Sequence, residues 1–184
     1  MTVGIVLAVA LATAPRGRAA PLRDSLEARL ALRECVAALR TAAVTTCSRA
    51  LELGLTGERA ALAQRLRGRA LAVLERWDEA LQAYLEVLRI APQDADAALA
   101  AGTALLYGLG RPLDAEEYLR QALSARPDDA VFHVHLATAL NAAGRHAEAL
   151  DEFKTALELD VTVLDDRPAA QAAHLASLRQ AFWP

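Results

Sequence analysis

Apolar residues recur along this chain at intervals of three and four, stop at a glycine or proline, and resume on a new face. Over residues 130–163, Leu136, Ala137 and Leu140 share one helical face and Gly144 interrupts it. From about His146, Ala149, Leu150, Phe153, Ala156 and Leu157 line a second face. Apolar positions at that spacing predict amphipathic helices. A glycine after the last turn supplies the left-handed conformation that ends a helix. A second helix starting within a residue or two must then fold back antiparallel to the first.

The same hairpin pattern appears twice upstream. Residues 61–94 place Gly68 and Leu71 on a first helix, Trp77 at the start of a second, Ala80, Tyr84 and Val87 on its inner face, and Pro92 at its end. Residues 95–129 repeat this with Gly102, Leu105, Gly110, Ala115, Leu119, Ala122 and Pro127. The leading alanines, Ala80, Ala115 and Ala149, lie 35 and 34 residues apart, and the extra residue is expected in the turn Gly108–Pro112. A fixed period in this range predicts an array of stacked helix pairs, each burying the apolar flank of its neighbour. Residues 22–57 read as a degenerate further hairpin: Ala43, Cys47, Ala50 and Leu51 keep the second-helix spacing, and Gly54 and Gly57 follow. Downstream, Asp166-Arg167-Pro168 is a helix start. The segment 167–182 is expected to cap the array, with Ala172, Leu175, Leu178 and Phe182 facing inward and His174, Ser177, Arg179 and Gln180 largely opposite.

These positions resemble the tetratricopeptide repeat family, whose units carry a glycine and a tyrosine on the first helix and alanine, an aromatic and proline on the second. The resemblance covers 61–163 and departs from the pattern at a few points. Leu71, Leu105 and Leu140 stand for the tyrosine, Glu75 for the turn glycine of the first unit, and Val161 for the last proline. It implies an all-α, right-handed solenoid whose first helices line a concave face. It also implies ligand-contacting positions at Arg65, Arg69 and Val73, then Leu99, Thr103, Leu106 and Tyr107, then Val131, Val134, His135, Thr138 and Asn141. The two arginines offer bidentate geometry for a carboxylate. The lysines and most of the asparagines of relatives that clamp a chaperone's C-terminus are absent, which argues against that specialised role. The implied function is a non-enzymatic adaptor or scaffold for a peptide or protein partner, or for a further copy of the chain. Alternatives are a cytoplasmic scaffold, or an accessory subunit of an envelope enzyme or assembly complex.

Composition narrows this picture. Of 184 residues, 54% are hydrophobic and only 4% aromatic, which suits Ala- and Leu-rich helices. The net charge of −3 provides no global positive field for nucleic acid. Residues 3–14 form an uncharged apolar run too short to span a bilayer as a helix. With the small residues and prolines that follow, it predicts a signal peptide over about 1–20 and a periplasmic or secreted protein of bacterial type; a cytoplasmic protein with a packed N-terminal helix is the alternative. Loss of Arg16 and Arg18 with that segment takes the net charge to −5. Cys35 and Cys47 could pair in an oxidising compartment, but the reading preferred here is two small buried hydrophobes. No catalytic constellation and no cofactor or metal motif stands out. His133 and His135 lie two apart on a helix and point to different faces, His146 lies in a turn, and His174 sits on the capping helix. The acids around Trp77 read as a solvated helix start.

Overall fold

The computed structural model describes residues 24–38 and 41–182, which form helices and their connections, with no strand among them. In chain order the helices are α1 (Leu26–Ala37), α2 (Thr41–Glu52), α3 (Gly57–Val73), α4 (Trp77–Ile90) and α5 (Ala95–Thr103). They continue with α6 (Pro112–Ala125), α7 (Ala130–Ala142), α8 (His146–Leu159) and α9 (Pro168–Phe182). They pack as four hairpins, α1/α2, α3/α4, α5/α6 and α7/α8, with α9 laid against both helices of the last. The segment 1–20, expected as a signal peptide, lies outside the described residues.

Two kinds of helix start alternate. Three of the four first helices, α1, α5 and α7, are capped by short polar side chains: Ser25 Oγ accepts from Ala28 N (3.0 Å), Asp94 Oδ1 from Ala97 N (2.9 Å) and Asp129 Oδ1 from Val131 N (3.1 Å). The second helices α4, α6 and α8 instead begin after Arg76, Arg111 and Arg145, with no side-chain cap. Each arginine Nε donates to an acid three residues on, Glu79, Asp114 and Glu148, at 2.6 Å every time. The acids sit where the helix dipole favours negative charge, and the arginines hold them there.

The α3/α4 and α7/α8 turns also share one geometry. At α7, Gly144 N donates to Asn141 O (3.0 Å) and Arg145 N to Leu140 O (2.9 Å). At α3, Glu75 N donates to Ala72 O (3.0 Å) and Arg76 N to Leu71 O (3.0 Å). Gly144 has φ +80°, and Glu75 has φ +58° although it carries a Cβ. The missing turn glycine therefore leaves the turn unchanged and places a glutamate in a left-handed conformation.

In the α3/α4 and α5/α6 hairpins a glycine allows the helices to approach closely. A Cβ on Gly68 would lie 2.7 Å from Tyr84 Cε1, and one on Gly102 would lie 2.7 Å from Leu119 Cγ. Leu71, Val87, Leu105, Leu119, Leu136, Leu140 and Phe153 fill the space between them and are buried. This core runs from Ala61 to Ala173; a second, alanine-rich cluster holds α1, α2 and the adjacent part of α3, and Val44 and Ile90 touch both.

Three expectations change. The extra residue of the second repeat is absorbed inside the helix: residues Ala104–Gly108 form a π turn, closed by Leu109 N to Ala104 O at 3.0 Å. Trp77 packs on that turn so tightly that a Cβ on Gly108 would sit 2.2 Å from Trp77 Cδ2. The cysteines are joined: a Cys35–Cys47 disulfide links α1 to α2 with Cα atoms 4.7 Å apart. Two adjacent helices bring both thiols to one buried point, which linear spacing alone does not reveal. Finally, α9 is rotated from its expected setting. Ala170, Ala173 and Ser177 face inward while Ala172 is exposed and Leu175 is 64% exposed. Small residues let α9 approach closely, His174 stacks edge-on to Phe153 at 5.0 Å, and Ser177 Oγ donates to Asn141 Oδ1 at 2.7 Å.

Candidate binding surface

The first helices of successive hairpins lie side by side, tied by contacts that run between repeats. Arg65 on α3 forms an ion pair with Asp94, the residue that caps α5. Tyr107 Oη, in the π turn after α5, shares a hydrogen bond of 3.0 Å with His135 Nδ1 on α7. These contacts define one continuous face across α3, α5 and α7.

The residues expected on that face fall into three groups. Arg69, Val73 and Tyr107 are exposed; Leu99, Thr103, Val131 and His135 are half-buried beside them. Leu106, Val134 and Thr138 are buried beneath that face, Leu106 and Val134 as members of the main core. The Thr138 hydroxyl donates back to Val134 O at 2.8 Å. Asn141 is committed to the cap: its Oδ1 takes the Ser177 hydroxyl and meets His146 Nδ1 at 2.8 Å. Arg65 is likewise spent on Asp94, so the expected arginine pair is reduced to Arg69 alone, which makes no ion pair with any described residue. Sequence reading could not see this, since Asp94 reads as a helix cap and only the packing of α5 on α4, the partner of α3, brings it to Arg65.

A further cation was missed. Arg167, read from sequence only as part of a helix start, stands close enough to act electrostatically on both Tyr107 and His135. Its Nη1 donates to Val163 O, and no described carboxylate forms an ion pair with it. Burial, with the Arg167 cation adding to it, pushes the His135 imidazole down to about 4, so this ring is neutral at pH 7. Burial also raises the Tyr107 hydroxyl above its ordinary value. The face therefore presents a guanidinium without an ion-pair partner among the described residues at each end, Arg69 and Arg167, the latter anchored on Val163 O, with an apolar and aromatic stretch between them.

The remaining histidines are structural. His133 Nδ1 meets Glu152 Oε2 at 2.7 Å and its Nε2 meets Pro127 O at 2.8 Å, bridging α7 to α8. His174 packs on Phe153, and burial lowers its pKa. Among the described residues no group of three histidine, cysteine or acidic side chains is placed to hold a metal ion.

Against known families, the model described as "Tetratricopeptide repeat" matches residues 37–95 and 96–160. The chain belongs to the tetratricopeptide repeat family. The repeats share the fold of the protein solved as MamA RS-1 ArsTM double mutant, with a TM-score of 0.68 and 18% identity, covering 87% of this chain and 97% of that one. The TPR2B domain of yeast Sti1, solved in complex with pHsp70, is 25% identical with a TM-score of 0.58, covering 65% of this chain and 97% of that domain. Protein O-mannosyl-transferase Tmtc2 of Drosophila melanogaster is 33% identical over 93 residues, half of this chain but only 10% of that protein. The chain thus spans about a tenth of that relative.

Proposed function

We propose that this tetratricopeptide repeat protein is a non-enzymatic adaptor that holds an extended peptide segment of a partner along α3, α5 and α7. The observation that carries this reading is the pair of guanidiniums that form no ion pair with a described carboxylate, Arg69 and Arg167, on either side of exposed Val73 and Tyr107 and half-buried Leu99. The bound segment is expected to present acidic groups to the arginines and an apolar or aromatic side chain to the middle. The complex of yeast Sti1 with pHsp70 supports peptide capture by a related array. The chemistry here differs from the sequence expectation, because Arg65 is replaced by Arg167 as the second cation.

Screening the purified protein against an array of acidic peptides, then titrating the best binders calorimetrically, tests this. Arg69→Glu and Tyr107→Ala should each weaken binding at least about tenfold, a loss of roughly 1.4 kcal/mol. Unchanged affinity in both variants would overturn the assignment.

We also propose export to an oxidising compartment, the periplasm or the exterior. The apolar run over 3–14 and the Cys35–Cys47 bond both support it. Cell fractionation with N-terminal sequencing is the test; a cytosolic protein retaining Met1 would refute export.

A further inference from the structure

The two ends of the array carry exposed apolar faces of opposite charge. At the N-terminal end, α1 turns Leu26, Leu30 and Val36 outward, with exposures of 71%, 49% and 57%. They border a groove of about 500 Å³ flanked by Arg29 and Arg33, neither of which pairs with any described acid. At the opposite end, α8 and α9 frame a groove of about 430 Å³ lined by Leu150, Leu157 and Leu178. Asp151 and Glu158 stand on its rim; Lys154 sits 3.8 Å from Glu158, while Asp151 pairs with no described cation. The apolar residue Leu175, expected to face inward, instead adds exposed surface to α9.

Inside the chain, each hairpin is completed by the first helix of the next, as α5 packs on α4 and α7 on α6. The outer face of α1 is the side that a preceding hairpin would cover, and the α8–α9 groove is where a following helix would lie. Terminal units of a repeat array normally end in a polar face; here both ends are partly apolar. Basic flanks at one end meet a net acidic rim at the other.

We infer that copies of this protein stack head to tail, the α1 face of one seated in the α8–α9 groove of the next. Such a contact uses two different surfaces, so it propagates into open rows rather than closing as a symmetric dimer. It leaves the face formed by α3, α5 and α7 free, and it does not depend on the peptide-binding reading.

Sedimentation velocity and light scattering on the full chain, over a range of concentration and salt, provide the test. The mean mass should rise past that of a dimer with concentration and fall with added salt. Leu30→Glu and Leu178→Glu should each give monomers on their own, with unchanged circular dichroism. Mixed together they should form one-to-one dimers and nothing larger, since each retains one intact face. Asp151→Arg provides an exposed alternative at the second face, and combining it with Arg33→Asp in one chain should restore rows. A wild-type chain that stays monomeric overturns the inference. So does association that stops at a dimer, or a mixture of the two leucine variants that remains monomeric.

Discussion

Replacing Glu75 with glycine should stabilise the protein, for a reason confined to the backbone. Glu75 has φ +58°, is exposed, and makes no side-chain hydrogen bond or ion pair with any described residue. A residue with a Cβ pays about 1–2 kcal/mol for the left-handed conformation. Glycine avoids that cost but surrenders roughly 0.5–1 kcal/mol of extra chain entropy on folding. The net expectation is a gain of about 1 kcal/mol, which for a chain of this size raises the melting temperature by about 2–4 °C. Gly144 provides the mirror experiment. It occupies the same turn two repeats later with φ +80°, and a Cβ there would meet nothing within 4 Å. Gly144→Ala therefore tests conformation without crowding and should cost about 1 kcal/mol. Thermal and urea melts followed by helical circular dichroism read both. A lower melting temperature for Glu75→Gly, or shifts of the same sign for the two variants, would refute the reasoning.

Gly102→Ala should destabilise by about 1–3 kcal/mol in a urea melt, because its Cβ would drive into the buried Leu119 side chain. Mutating both Cys35 and Cys47 to alanine should lower stability by about 3 kcal/mol on loop-closure grounds and speed amide exchange in α1 and α2 first; native protein that takes up iodoacetamide without prior reduction would count against the bond. Arg65→Glu should cost stability, unlike Arg69→Glu, because it sets a second carboxylate beside Asp94 at the α3–α5 joint; equal melts for the two would deny the joint its role. Acid should weaken the fold through His135. Its imidazole titrates at about 4 when folded but near 6.5 when unfolded, so between these values the unfolded chain binds the extra proton. Its share of stability is complete above about pH 6.5 and lost as pH falls toward about 4. His135→Phe should flatten that part of the pH profile, measured by urea melts.

The array itself was legible in the primary sequence because its periodicity is a steric requirement. Gly68 and Gly102 recur where the paired helix comes too close for a Cβ, and Ala80, Ala115 and Ala149 recur on completely buried faces. The arginine–acid pairs that open α4, α6 and α8 were legible too, at the same period, but went unread because exposed charges look alike in a linear string. Side chains that answer to a neighbouring repeat were not legible. Whether Arg65 is free depends on Asp94, and whether Val134 and Thr138 can touch a ligand depends on what covers them. The sequence by itself thus determined the number, length and pairing of the helices, since those follow from local spacing and close approach. Tertiary structure alone decided the face that α9 buries, the bond between Cys35 and Cys47, the π turn under Trp77 and the approach of the Arg167 charge to the Tyr107–His135 site. Each of those is a contact between segments whose separation in space has no counterpart in their separation along the chain.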